Sequence, residues 1–286
     1  MSETAAVVVL YNPVLNVFGN LSTYIDQISK LFVVDNSDNI NVPLVEKIKQ
    51  IKNAEYIFNG SNIGIAAGLN IGSRKAIEEG FEYLLTMDQD SRADPYMVNN
   101  LLMVIKSSQG IGLAAPRYVH ADVQEETEVE AVNEILYTMT SGSLLNLFAF
   151  EKVGGFLEKL FIDHVDHEYC LRLNKNGFKV IKVNNAVLYH KVGNTVKRKF
   201  FLFTFCPSNH PPIRLYYRTR NRLYVDHIYK KTFPNYFKED IRHFIREIIE
   251  IIMYEKDLWN KFKMIFIGYK HYRKNNLGEY SKAIKG

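Results

Sequence analysis

Tyr83-Leu84-Leu85-Thr86-Met87-Asp88-Gln89-Asp90-Ser91 is the stretch from which the fold can be read. A short apolar run, Phe81 to Met87, is bounded by Gly80 on one side and by the polar cluster Gln89 to Asp94 on the other. That pattern predicts a buried strand. Two carboxylates one residue apart, Asp88 and Asp90, stand where the strand ends. In an open α/β sheet, ligands bind at the carboxyl ends of the strands. Paired carboxylates repel each other and favour a compensating cation, most simply a divalent metal. A solvated acidic turn is the plainer alternative, and the triplet alone does not separate the two.

The flanking sequence supplies the context. Ala6 to Leu10 is a β-branched run closing on Tyr11-Asn12-Pro13, a buried first strand followed by a turn. Pro13 suits the first turn of a helix over roughly residues 14–29. Leu31 to Val34 reads as a second strand ending at Asp35-Asn36-Ser37, residues 43–51 as a helix, and Ala54 to Phe58 as a third strand. Asn62 is placed to cap a helix running to about Glu79, with Gly80 as its stop. Gly64, Ala66, Ala67, Gly68 and Gly72 would permit close approach of a ligand, or tight packing of the helix on the sheet. A dinucleotide fingerprint is absent, because the glycine spacing is wrong and the turn follows the third strand instead of the first.

Downstream, Asp94-Pro95 opens a helix to about Ser107, and Ile111 to Ala115 is the next strand. This alternation indicates βαβ units and a mostly parallel, doubly wound sheet. Residues 121–134 are acidic and poor in large apolar groups, and are expected to form a mobile surface loop. Tyr137 to Leu147 reads as a strand and Phe148 to Val153 as a short helix before Gly154-Gly155. Val165, Tyr169 and Leu173 recur every four residues, so a helix carries Asp166 in its first turn and stops at Gly177. Glu168 and Arg172 are spaced for a surface i,i+4 salt bridge. His164 and His167 lack the partners a zinc site needs. Phe178 to Val183 and Ala186 to Tyr189 are expected to be two short strands, the second ending at His190.

Composition divides the chain. Its 286 residues are 47% hydrophobic and carry a net charge of +5. Residues 1–190 hold 15 Lys and Arg against 23 Asp and Glu, whereas residues 191–286 hold 21 against 8. An acidic body of residues 1–199 therefore precedes a basic, aromatic and mainly helical extension, 200–286. The extension points to an anionic partner, such as phosphates or an anionic membrane face. Arg214, Arg218, Arg220 and Arg222 interleave with Tyr216, Tyr217 and Tyr224, and residues 237–274 alternate Ile and Phe with Arg and Lys in helical rhythm. Such helices lie on a membrane surface or pack on the body. A nucleic-acid binder is disfavoured by the acidic body. Two cysteines, Cys170 and Cys206, make no disulfide framework; no run is long enough for a transmembrane helix, and Met1 to Ala6 is no secretory signal. A reduced, cytoplasmic setting is expected.

Val9-Leu10-Tyr11-Asn12-Pro13, Val34-Asp35-Asn36-Ser37, Asn62-Ile63-Gly64-Ile65-Ala66 with Asn70, Asp88-Gln89-Asp90-Ser91, Gly154-Gly155-Phe156, and Phe161 to Asp166 with Leu171-Arg172 follow in that order. The ordered set, over residues 6–225, resembles glycosyltransferase family 2 and, within it, the bacterial rhamnosyltransferase branch. The resemblance implies a GT-A fold, which is Rossmann-like, with a C-terminal helical extension.

It further implies an inverting, metal-dependent hexosyltransferase of bacterial surface polysaccharide synthesis. The expected transfer is of L-rhamnose from dTDP-rhamnose to a saccharide acceptor, linked to a polyprenyl diphosphate, at the inner face of the cytoplasmic membrane. The nucleotide would lie against Tyr11, Asn12, Asp35, Asn62, Gly64 and Asn70. Asp88 and Asp90 would hold Mg²⁺ or Mn²⁺ and the diphosphate, with His190 as a weaker further ligand. The Tyr-Tyr-x-x-Arg-Asn run, Tyr216 to Asn221, matches a segment near the diphosphate, so Arg218, Arg220 and Asn221 join the donor set. Asp166 matches the catalytic base. Many relatives have Glu-Asp where this chain has Val165-Asp166, and Asp163 is close enough to be a rival base. Another donor, such as UDP-galactose or UDP-N-acetylglucosamine, and an inactive GT-A-like scaffold are the alternative readings.

Overall fold

The computed structural model describes residues 4–119, 131–190, 198–200, 203–205 and 209–280. Residues 121–130, Cys206 and the side chain of His190, all singled out above, lie outside the described set. The chain forms two compact units. The first comprises residues up to Phe161 together with Val165–Lys191. The second comprises Ile162–His164 and residues from Val192 onward.

The first unit is built on one nine-stranded sheet. Its elements are β1 (Thr4–Leu10), α1 (Val17–Leu21), β2 (Lys30–Asp35), α2 (Val42–Lys49), β3 (Ala54–Phe58), α3 (Ile65–Glu78), β4 (Tyr83–Asp88), β5 (Ser91–Ala93) and α4 (Met97–Ile105). They continue with β6 (Ile111–Val119), β7 (Val132–Ile135), β8 (Ser143–Asn146), α5 (Leu147–Val153), α6 (Val165–Lys175) and β9 (Lys179–His190). The strand order is β3-β2-β1-β4-β8-β6-β9-β5, with β7 pairing on β9. The pairs β3–β2, β2–β1 and β1–β4 are parallel, as the βαβ alternation requires. β8 runs antiparallel to both β4 and β6, so the second half of the sheet is mixed.

The parallel strands are buried on both faces, which explains their continuous apolar runs. Ala6, Val8 and Leu10 pack with Val17, Leu44, Ile48, Met97 and Leu101 in the main core. Val7 points to the other face, against Gly72 of α3, where an added Cβ would collide with its side chain. Gly72 thus serves close helix–sheet packing. The helix α3 starts later than expected. Asn62 is not its cap; its Oδ1 accepts the Gly64 N–H at 3.0 Å, and the helix begins after Gly64. Elsewhere side-chain caps do form: Asn41 accepts from Leu44 N–H and Asn146 from Ala149 N–H.

Three further expectations are corrected. The helix read over 14–29 is only α1 followed by a 3₁₀ turn at Ile25–Gln27; between them the Thr23 hydroxyl and N–H both donate to the Asn20 carbonyl, at 2.7 and 3.1 Å. The end of the expected 121–134 loop is instead part of the strand β7, Val132–Ile135, paired antiparallel with Val180–Val183. The two short strands after Gly177 are one strand, β9. Its pairing with β6 shifts register between Pro116 and Arg117, and Arg117 Nε reaches the Asn184 carbonyl there, at 3.1 Å.

The second unit holds a short antiparallel pair, β10 (Arg198–Phe200) and β11 (Phe203–Phe205), and three helices, α7 (Pro212–Tyr229), α8 (Pro234–Tyr254) and α9 (Leu258–Arg273). No helix among the described residues is long and apolar enough to cross a membrane.

Candidate functional site

In the first unit, the carboxyl ends of β1, β2, β3 and β4 form one rim. Tyr11 follows β1 with its ring exposed. Gln89 holds the Tyr11 backbone from both sides, accepting its N–H at 3.0 Å and donating to its carbonyl at 3.2 Å. Asn12 takes a left-handed backbone, φ 46°, and donates its N–H to Ser37 Oγ at 2.8 Å. Asp35 is buried beneath this turn. Its carboxylate accepts from Ser37 N–H at 2.9 Å and from the Tyr56 hydroxyl at 2.6 Å. Burial, with the Asp35 bond and charge, pushes the Tyr56 phenol up. Asn36 bridges the Gly64 carbonyl and Asn59 at 3.0 and 2.8 Å. Gln89 and Asn36 stand inside the quoted motifs without an assigned role, and Tyr56 and Asn59 carry no sequence signal of one. Their amides and hydroxyl act on backbone turns, a role that residue type alone does not signal.

Asp88 closes β4, half-buried, and Asp90 is exposed two residues on. The buried Tyr24 phenol is raised by its burial and then by the Asp88 charge. Among the described residues no group of three or more His, Cys, Asp or Glu could by itself hold a metal ion. Asp88 and Asp90 place two hard carboxylates at this strand end. That donor set fits Mg²⁺ or Mn²⁺, which retain waters and substrate phosphates as their other ligands. His190 ends β9 and pairs in register with Ser91, next to Asp90.

The segment 136–142 ties this strand end to α6. Ser141 Oγ accepts the Asp88 N–H at 3.1 Å and bonds Ser91 Oγ at 2.8 Å. At its other end, the Tyr137 ring lies 4.4 Å from that of His167, and Asn174 of α6 donates to the Leu136 carbonyl at 3.1 Å. Asp166 sits in the first turn of α6, half-buried, with Oδ1 accepting the His167 N–H at 2.9 Å. Burial pushes the neighbouring Cys170 thiol up to about 12, so it is no nucleophile. Gly64 packs on Phe161 so closely that a Cβ would lie 2.6 Å from the Phe161 carbonyl oxygen, and its φ of 87° also favours glycine.

Several sequence-read residues have other duties. Asn70 is buried, and its amide bonds both the N–H and the carbonyl of Phe156, at 2.8 and 2.9 Å, and Glu158 at 2.9 Å. It holds the loop after Gly155 instead of facing a nucleotide. Glu168 and Arg172 pair as spaced, but Glu168 is buried and Arg172 half-buried, so the pair is not superficial. Arg172 also donates to the carbonyls of Val153, Gly154 and Gly155 at 2.7–2.8 Å. In the second unit, Arg218 pairs with Glu247 at 2.7 Å. Arg220 is fully buried, so its guanidinium is not presented to a diphosphate. Asn221 is buried too, and both its amide hydrogens go to backbone carbonyls. Asp163 is ion-paired with Arg214 at 2.7 Å.

The glycosyl transferase family 2 profile matches residues 7–157, more than half of the chain. The chain belongs to glycosyl transferase family 2. It is a glycosyltransferase. The chain is 32% identical, over 241 residues, to the dTDP-rhamnosyl transferase RfbF of Shigella flexneri, covering 77% of this chain and 78% of that protein. Among solved structures it is similar to GalNAc-T7 with UDP, GalNAc and Mn²⁺, at a TM-score of 0.61 and 13% identity over 82% of this chain. It spans only 49% of the GalNAc-T7 chain. It is also similar to the mannosyltransferase PcManGT of Pyrobaculum calidifontis with GDP-Man and Mn²⁺, at a TM-score of 0.57 and 13% identity, over 94% of this chain and 69% of that one. These likenesses establish the GT-A fold with a helical C-terminal region.

Proposed function

We propose that this glycosyltransferase moves L-rhamnose from dTDP-rhamnose, with inversion, onto a saccharide acceptor of bacterial surface polysaccharide synthesis. The observation that carries the chemistry is the joining of Asp88-Gln89-Asp90 to the first turn of α6 through residues 136–142. The dTDP-rhamnosyl transferase of Shigella flexneri supports the sugar and the nucleotide.

Asp88 and Asp90 would hold Mg²⁺ or Mn²⁺, which neutralises the charge that grows on a leaving diphosphate. Tyr11, Asn12, Asn62 and Gly64 receive the nucleotide, with Asp35 supporting their turn from below. Asp166 accepts the proton of the acceptor hydroxyl as its oxygen attacks the anomeric carbon from the face opposite dTDP. The bond from that carbon to the diphosphate oxygen breaks, and its electron pair leaves with dTDP. Asp166 is preferred to Asp163 because Arg214 occupies the Asp163 carboxylate. Release of dTDP is expected to need Mg²⁺ or Mn²⁺ and to stop on chelation with EDTA. Full turnover in EDTA would remove the metal from this account.

The extension, residues 200–286, is assigned to an anionic membrane face on the cytoplasmic side, where a polyprenyl-diphosphate-linked acceptor would be met. Ile241, Ile245, Ile249 and Ile252 form an exposed row on α8, and Trp259, Phe262 and Phe266 one on α9; Trp259 is 81% exposed. Lys238, Arg242, Arg246, Lys256, Lys263 and Lys270 lie exposed among them. Each such cation contributes about 1 kcal/mol near an anionic surface. Binding to phosphatidylglycerol vesicles should fall several-fold with added salt and in Trp259→Ala/Phe266→Ala. Equal binding to neutral vesicles would argue against this assignment.

A further inference from the structure

Phe161, Asp163 and His164 have φ values of 67°, 63° and 61°, and none is glycine. Left-handed backbone at such residues costs on the order of 1–3 kcal/mol each and persists only where the surroundings over-determine it. Within the second unit, three side chains of α7 and α8 hold Ile162–His164. Asn221 Nδ2 donates to the Ile162 carbonyl at 2.7 Å and to the Asp163 carbonyl at 2.9 Å. Arg214 Nη2 grips Asp163 Oδ1 at 2.7 Å. Asp240 faces His164 Nε2 at 3.8 Å; burial pushes the Asp240 carboxyl up, but His164 and Arg222 outweigh it and hold it down at about 2.

The Asn221 amide has only one workable orientation. Its Oδ1 accepts from Arg220 Nε at 2.9 Å, and a flipped amide would set that oxygen against two carbonyls. Arg220 is itself fixed. Its guanidinium lies 5.1 Å from the ring centroids of both Tyr216 and Tyr217, and Nη1 donates to the Tyr216 hydroxyl and the Gly278 carbonyl. Residues 216, 217, 220 and 221 share one helix face through their i,i+4 spacing. The Tyr-Tyr-x-x-Arg-Asn run is thus a chain of supports, aromatic pair to arginine to asparagine, that ends on the backbone two residues before Val165-Asp166.

We propose that Asn221 is a positioning residue for the transfer: it fixes the strained segment that leads directly into Asp166, instead of binding the donor diphosphate. The proposal rests on Asp166 being the base. A base displaced by about 1 Å forfeits on the order of a hundredfold in rate.

The test uses the full chain with dTDP-rhamnose and Mg²⁺, read as dTDP release, beside calorimetric binding of dTDP and hydrogen exchange of the peptide spanning residues 157–165. Asn221→Ala should lower kcat roughly a hundredfold. KM for dTDP-rhamnose and Kd for dTDP should stay within about twofold of wild type, and exchange at 162–165 should quicken. Asn221→Asp, nearly isosteric, should lose as much, because it sets an oxygen against both carbonyls. A raised KM or Kd with kcat kept would make Asn221 a donor ligand and overturn the proposal. Quickened exchange with unchanged kcat would overturn it equally. Should Asn221→Ala fail to fold, Arg214→Lys decides: a kcat loss of about tenfold supports the clamp, and wild-type kcat with faster exchange refutes it. Asp166→Asn runs alongside. Turnover persisting there refutes the base assignment itself, whereas normal Asn221→Ala beside an inactive Asp166→Asn refutes only the clamp.

Discussion

Asp166→Asn is expected to cut sugar transfer about a thousandfold while dTDP binding stays within twofold of wild type. The substitution keeps the side chain's size and its contact with the His167 N–H, whose acceptor becomes the amide oxygen. It removes only the capacity to take a proton. General-base catalysis is worth about 10²–10⁴-fold, which sets the size of the loss. The carboxylate lies in the first turn of α6, where the helix N-terminus also favours negative charge. Asp163→Asn offers the contrast. Its carboxylate already serves Arg214, so its loss should loosen the segment and reduce turnover less than the Asp166 change. Single-turnover rates with dTDP-rhamnose, set beside calorimetric dTDP affinities, separate the two. Should Asp163→Asn be the deeper loss, the roles would have to be exchanged.

Arg172→Ala is expected to destabilise the protein by about 3–5 kcal/mol, the usual result of breaking a buried ion pair from one side. Glu168 is 1% exposed and bonds Arg172 through both carboxylate oxygens, at 3.0 and 2.9 Å. Removing the guanidinium leaves that carboxylate buried without its cation. It also frees the carbonyls of Val153, Gly154 and Gly155 at once. Lysine should recover little, because a point charge cannot serve a bidentate carboxylate and three carbonyls together. Urea unfolding followed by fluorescence and by circular dichroism gives the comparison. A midpoint unchanged from wild type would show the pair to be dispensable.

Much of this architecture is legible in the chain because local signals agree there. Val7 to Leu10 and Leu84 to Met87 are short apolar runs that stop at polar turns, and the first four strands form where they fall. The Asp88-Gln89-Asp90 strand end and the start of α6 follow from the same reasoning. What was misjudged depends on burial and on partners distant in sequence. Val132–Ile135 has two apolar residues among acidic neighbours, and becomes a strand only because β9 offers it an edge. The spacing of Glu168 and Arg172 gives the pair but not that it is buried under the Gly154-Gly155 turn. Arg220 and Asn70 carry groups suited to a ligand. Only the fold reveals that Tyr216 and Tyr217 enclose the first and that Phe156 and Glu158 use the second.

The central claim is the reaction itself, and a donor panel tests it most directly. The purified chain, with Mg²⁺ or Mn²⁺, is offered dTDP-rhamnose, UDP-galactose, UDP-N-acetylglucosamine and GDP-mannose, and release of nucleoside diphosphate is measured against Asp166→Asn. The expected result is metal-dependent release of dTDP from dTDP-rhamnose, at least tenfold above every other donor and absent in the variant. Release from UDP-galactose or UDP-N-acetylglucosamine in its place would contradict the sugar assignment, and release from none of them would make the chain an inactive GT-A-like scaffold.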